Sequence, residues 1–131
     1  MDLSTEMLAI ARAKIEEGGL ANCAVRQGDM YQVPFTAESF DLVSIHQVLH
    51  YTDEPATAIG EAARVLKSGG KLAVVDFAPH EEETLRTQYQ HRRLGFSEDE
   101  ITRICRDCGL NVTNVQHLPG TPLTVTVWVA E

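Results

Sequence analysis

Long apolar runs are missing from this 131-residue chain. None approaches the ~20 residues that cross a bilayer, and the first twenty residues lack the basic start and apolar centre of a secretory signal. The expectation is a cytoplasmic protein with no membrane partner. Positive charge is scarce as well: 11 Lys and Arg against 19 Asp and Glu give a formal net charge of -8. Such a field repels phosphate backbones and anionic headgroups, which argues against direct nucleic-acid contact. Cysteine is rare and odd in number, three in all, so a disulfide framework is not expected and a reducing compartment fits. Also missing is any strand running into Gly-x-Gly-x-x-Gly, which disfavours a nicotinamide dehydrogenase.

What is present reads as one domain, residues 1–131, because the length suffices for one core and not for two. Hydrophobic residues at 44% and charged residues at 23% are the balance of a soluble globular chain rather than a disordered one. A helix is expected from the start to residue 19, with Ser4 as N-cap, Met7, Leu8, Ala11 and Ile15 on one face, and Gly18 and Gly19 as its stop. Residues 22–27 read as a short strand and 31–38 as a loop. Residues 40–45 read as a second strand, apolar enough to be covered on both faces. Asp53 is the expected cap of a helix over 56–67, ended by Ser68, Gly69 and Gly70, and 71–77 is a third buried strand. Alternating helices and strands predict a parallel sheet with helices on its faces.

A charged helix is expected over residues 80–93, with Glu81 to Glu83 in its first turn and His91, Arg92 and Arg93 in its last, in the order that suits the helix dipole. Ser97 and Glu100 stand in capping-box spacing before Ile101. Cys105 and Cys108 share a stripe with Ile101 and Ile104 and precede a C-capping Gly109; at that end of a helix the dipole opposes a thiolate, so the pair reads as core. Residues 112–118 and 123–129 flank Pro119, Gly120, Thr121 and Pro122, a connection short enough to require antiparallel pairing. Trp128 lies on the last of these strands and is expected in the core.

Two short stretches carry candidate chemistry. In "RQGDM", residues 26–30, Gly28 and Asp29 follow the 22–27 segment, either as an ordinary turn or as a carboxylate aimed into the crevice where open α/β sheets take nucleotides. In "HQVLH", residues 46–50, the histidines have the spacing of a zinc-protease helix, but Gln47 stands where that chemistry needs a glutamate base. No metal is expected there. A histidine titrating near neutrality can instead remove a proton from an oxygen or nitrogen, or it can simply pack.

Four stretches, "DLSTEMLAIARAKIEEGGL", "VRQGDMYQVPFTAESFDLVSIHQVLHY", "EPATAIGEAARVLKSGGKLAVVDF" and "LTVTVWV", together resemble the class I S-adenosylmethionine-dependent methyltransferases of the ubiquinone and menaquinone small-molecule type. The resemblance implies a Rossmann-like α/β sheet of strand order 3-2-1-4-5-7-6, mostly parallel, with the last strand running against the others in a C-terminal hairpin. It implies S-adenosylmethionine as cofactor. Asp2, with Leu3 beside it, then matches the acid that takes both ribose hydroxyls; Asp29, after Gly28, accepts from the adenine amino group, and Met30 packs on the ring. His46 and Gln47 lie beside the cofactor. His50 is the candidate base, Tyr51 faces the substrate, and Arg92 or Arg93 holds an anionic acceptor.

The family begins with a strand and a glycine-rich turn that nothing in this sequence matches. Gly18, Gly19, Gly69 and Gly70 follow expected helices and read as caps. The chain therefore resembles the C-terminal two-thirds of such an enzyme, a partial domain incomplete by itself. In the family's strand order the 22–27 and 40–45 strands would each keep an open apolar edge. These edges are expected to pair directly, to pair with a second copy as a homodimer, or to receive the missing segment. The alternative from another class is a non-catalytic module of the same fold, serving regulation or protein interaction.

Overall fold

The computed structural model describes residues 1–131 as two units, Met1–Pro34 and Phe35–Glu131. In the first, helix α1 spans Thr5–Glu17. Ser4 caps it as expected, its Oγ accepting from the Met7 amide, and Gly18 closes it before Gly19 turns away at φ +60°. Leu8 is buried and Ala11 and Ile15 are half-buried, but Met7 is exposed, so the covered stripe is narrower than its spacing suggested. The strand expected over 22–27 does not form. A strand needs a neighbour to satisfy its amides and carbonyls, and the only one offered is the short N-terminal segment. Asp2 bridges Gln27 in parallel sense, with Asp2 N donating to Arg26 O and Gly28 N donating to Asp2 O.

In the second unit, β1 (Phe40–His46) leads through helix α2 (Pro55–Val65) to β2 (Leu66–Phe77), parallel to β1. A short helix α3 (Glu83–Gln88) and helix α4 (Glu98–Asp107) follow, and β3 (Val112–Leu118) and β4 (Val125–Ala130) form the closing antiparallel hairpin. The sheet order is β1-β2-β4-β3. Because β4 is antiparallel to both of its neighbours, three strands share one direction and β4 alone opposes them. This is the order 4-5-7-6 implied above for the last four strands.

Several boundaries differ from expectation for visible reasons. Glu54, not Asp53, occupies the N-cap of α2, because the Thr52 hydroxyl takes the Glu54 amide and starts the helix one residue later. That helix stops at Val65 rather than 67. Ser39 N donates to Val65 O and Glu38 N to Arg64 O, which ties the helix end to the start of β1 and brings the chain straight into the sheet. Gly69 and Gly70 therefore sit inside β2 instead of capping a helix. They lie in a bulge, since Phe40 is opposite Leu66 while Leu42 is already opposite Lys71. A Cβ on Gly70 would press on the Asp41 carbonyl at 3.2 Å.

The core lies on one face of this sheet. Leu72 and Val74 of β2 and Trp128 and Ala130 of β4 are buried with Ala58, Ile59, Ala62 and Val65 of α2 and Ile101 and Cys105 of α4. The intervening residues of β2 and β4 are half-buried, and Leu42 on β1 is 63% exposed. The double-sided cover expected of β1 is absent in this unit, where β1 is an edge strand with β2 as its partner. Helix α4 follows its sequence closely: Ser97 Oγ accepts from the Glu100 amide, and Gly109 leaves at φ +83°.

Cys105 is fully buried, and burial followed by the Cys108 charge pushes its thiol up to about 11. Thiolates are the reactive form. Iodoacetamide at pH 8 is therefore expected to modify exposed Cys23 while sparing Cys105 until denaturant is added, and mass spectrometry of tryptic peptides checks it. Rapid labelling of Cys105 in the folded protein would contradict this packing.

Candidate active site

Strand β1 ends at exposed His46, and Gln47 turns the chain out of the sheet at φ +49° while its amide still donates to Val75 O, 2.7 Å. A single 3₁₀ turn, Leu49–Tyr51, then lays His50 across the carboxyl end of β2. There Asp76, fully buried, meets it: His50 Nδ1 is 2.8 Å from Asp76 Oδ1. The same carboxylate accepts from Phe77 N at 2.8 Å and from Leu49 N at 3.0 Å. With donors converging on it, the carboxylate is held as an acceptor, which assigns a proton to His50 Nδ1 and, in the neutral imidazole, leaves the lone pair on Nε2. A buried histidine with a fixed tautomer and a carboxylate behind it is the arrangement of a general base.

His50 is clamped from the segment after α3. The long charged helix expected over 80–93 is reduced to the six residues of α3, because Gln90 adopts φ +59° and reverses the chain. His91, Arg92 and Arg93 thus leave the helix end. His91 is buried and its ring stacks on that of His50, centroids 4.1 Å apart at 27°. The amides of Arg92 and Arg93 both donate to the His50 carbonyl, at 2.8 and 3.0 Å. Tyr51 and Phe77 flank the imidazole at 4.3 and 5.1 Å. Arg93 is committed elsewhere, paired with Glu100 and lying 5.0 Å over the Phe96 ring, whereas exposed Arg92 reaches Asp53 at 3.1 Å. Tyr51, Arg86, Gln90, His91 and Arg92 line an open depression.

Burial lowers the pKa of both His80 and His91. Glu82 partly counters this at His80, while His50 adds to it at both. A histidine whose folded pKa lies below its unfolded value takes up protons on unfolding, so its stabilising contribution is present above about pH 6.5 and is lost as pH falls through the folded value. The urea midpoint is expected to drop as pH is lowered from 7 toward 5, with a shallower slope in His91→Phe; an unchanged slope would remove His91 from the cause.

In the Met1–Pro34 unit the bridge of Asp2 to Gln27 gathers Asp2, Leu3 and Gly28, with Gln27 Nε2 donating to Leu3 O at 3.1 Å. Asp2 Oδ1 accepts from Ser4 N and Asp29 Oδ1 from Tyr31 N, both at 2.9 Å. Each exposed carboxylate thus commits one oxygen to its own turn and can offer the other to a hydroxyl or amino donor. A Cβ on Gly28 would lie 2.6 Å from Met1 Sδ and 2.9 Å from Pro34 Cδ. Met30 is half-buried. Asp29 is a turn residue in its geometry.

Asp76 and His91 were not singled out as site residues from the sequence. Asp76 carried a signal: it follows Leu72 and Val74 at period two, an acid on the buried parity of a strand. His91 carried none, since its burial comes from the reversal at Gln90.

A β-α-β crossover and one opposed strand define an α/β protein with a mostly parallel, Rossmann-like sheet, a class in which ligands bind beyond the carboxyl ends of the strands, where the histidine–carboxylate pair lies. The methyltransferase-domain family profile matches residues 1–74, and the chain belongs to that family, whose members generally use S-adenosylmethionine. A phosphatidylethanolamine N-methyltransferase of Cereibacter sphaeroides is 33% identical over 129 residues, covering 93% of this chain and 63% of the relative. A demethylmenaquinone methyltransferase of Lactococcus lactis subsp. lactis is 38% identical over 76 residues, 58% of this chain and 30% of the relative. The chain therefore spans about a third to two-thirds of the length of these relatives. A solved structure of a candidate methyltransferase from Bacillus halodurans shares the fold with a TM-score of 0.85 at 22% identity, over 98% of this chain and 80% of that one.

Proposed function

We propose that the chain serves S-adenosylmethionine-dependent methyl transfer to a small-molecule acceptor, in the cytoplasm, with His50 as the base. The observation that carries this reading is the buried His50–Asp76 pair. When bound, S-adenosylmethionine supplies an electrophilic methyl group on a sulfonium, open to in-line displacement. His50 Nε2 takes the proton that the acceptor oxygen or nitrogen releases and later passes it to solvent, while Asp76 holds the imidazole and stabilises its charged form. Asp2 and Leu3 hold the ribose, Asp29 with Gly28 and Met30 holds the adenine, and His46 and Gln47 line the cofactor. The donor set fits, because Asp2 and Asp29 each keep an oxygen for such bonds. Tyr51 and Arg92 meet the acceptor, while Arg93 orders the segment around them. The relatives named for methylating a phospholipid amine and a quinone precursor support a small acceptor.

The domain is proposed to be partial, with the unpaired edge of β1 taking a strand from a longer chain or a second copy. A non-catalytic module is the second reading, favoured by the 3% exposure of His50 under its aromatic neighbours.

Calorimetric titration with S-adenosylmethionine, on this chain and on one extended upstream by the family's glycine-rich strand and turn, separates these readings. Saturable binding weakened at least about tenfold by Asp29→Ala, with transfer lowered roughly 10²–10⁴-fold by His50→Gln, supports the proposal. Absence of binding by either chain overturns it in favour of the module.

A further inference from the structure

We propose that the depression lined by Tyr51, Arg86, Gln90, His91 and Arg92 is an oxyanion subsite that selects acceptors carrying a carboxylate or phosphate group on an aromatic or apolar body. This deepens the reading above and rests on it only for the acceptor's fate, since the subsite lies within one unit. The depression is an exception to a chain of net charge -8, because two guanidinium groups, those of Arg86 and Arg92, border it. Each is held in a pair that is easily surrendered. Arg86 Nε lies 3.4 Å from Glu83 and Arg92 Nη1 lies 3.1 Å from Asp53, with all four side chains about half exposed or more. Exposed pairs of this kind contribute little, and an incoming oxyanion that meets two guanidinium forks makes stronger charge-assisted bonds.

The lining also includes two aromatic rings, Tyr51 and His91. Tyr51, 46% exposed, stands edge-on to His91 at 5.1 Å and gives the body of an acceptor a flat contact. His91 is buried and its Nδ1 has no hydrogen-bond partner, a polar atom left over by the fold beside the depression. Such atoms ordinarily find a partner. The subsite is tied to the base by covalent neighbourhood and by packing. Tyr51 follows His50 in the same turn, His91 stacks on it, and Arg92 N holds its carbonyl. An anion drawn to the two guanidinium groups thus places the rest of its molecule against the residues around His50.

Titration of the full chain with benzoate, phenyl phosphate and neutral benzamide at pH 7.5, followed by the ring resonances of Tyr51, His50 and His91, tests this. Saturable shifts with benzoate or phenyl phosphate and none with benzamide are expected, and the stronger of the two anions tells a carboxylate subsite from a phosphate one. Arg86→Gln and Arg92→Gln are each expected to weaken the preferred anion about tenfold or more. Equal binding of benzamide, indifference to both arginine variants, or no saturation would overturn the proposal. Titration of this chain and of the upstream-extended chain with S-adenosylmethionine keeps the two claims apart. Anion binding with no cofactor binding by either of the two chains sinks the methyl-transfer reading and leaves the subsite standing; cofactor binding without anion binding sinks the subsite alone.

Discussion

Replacing Asp76 with alanine will cost about 3–5 kcal/mol of stability, because it strips the partner from a buried ionic hydrogen-bond network. Three donors are orphaned at once: His50 Nδ1, Leu49 N and Phe77 N, all within 3.0 Å of a fully buried carboxylate. A domain has only about 5–15 kcal/mol in total, so the variant is expected to be partly unfolded at 37 °C. Urea unfolding measures this, and a loss under about 1 kcal/mol would mean that Asp76 is not the hub of the turn after β1. Asp76→Asn separates chemistry from folding. Asparagine keeps one acceptor oxygen; with that oxygen on Leu49 N, its amino group faces His50 Nδ1 and favours the opposite tautomer of His50, at the cost of the Phe77 N–H bond. The fold should survive while methyl transfer, on the proposed reading, falls roughly 10²–10⁴-fold with cofactor affinity retained.

Gly95→Ala is expected to be as damaging for a different reason. Gly95 sits at φ +81°, where an L side chain is strained, and its Cβ would be built 2.1 Å from Ala78 O and 2.9 Å from Phe77 O. Those are backbone atoms at the end of β2 and cannot swing aside. Strain in the left-handed region together with the forced backbone shift predicts a loss of roughly 3 kcal/mol or more. The shift also pulls on Phe96 N to Phe77 O and His80 N to Leu94 O, the bonds that hold the 91–96 segment to the sheet. Amide exchange at Arg92 and Arg93, whose N–H groups clamp His50, should accelerate together with the loss of stability. Slow exchange there in the variant would show that the clamp does not depend on this close approach.

The two residues on which the largest effects fall were not equally visible beforehand. Gly95 stands between Leu94 and Phe96 without a turn signature, and only the approach of Ala78 gives it meaning. Asp76 was readable as an acid on the buried parity of an apolar strand, yet its partner lies 26 residues earlier and no local pattern links them. His50, Tyr51, Asp2 and Asp29 could be named because a family pattern passes through them. The expected strand over 22–27 had good composition and failed for lack of a neighbour; the expected helix over 80–93 had good charge order and failed at Gln90.

Local physics was enough for whatever depends on neighbours in the chain. Ser4 and Ser97 cap their helices, Ile101 and Cys105 face inward, and the Pro119 to Pro122 connection closes an antiparallel hairpin, because capping, helical periodicity and short turns are decided within a few residues. Contacts between distant residues were decided only when the chain closed on itself. The bulge that carries Gly69 and Gly70 into β2, the one-sided cover of the sheet, the stacking of His91 on His50 and the carboxylate of Asp76 behind it all depend on which backbone donors meet which acceptors across the fold. Sequence order does not encode those meetings one residue at a time; packing selects them together.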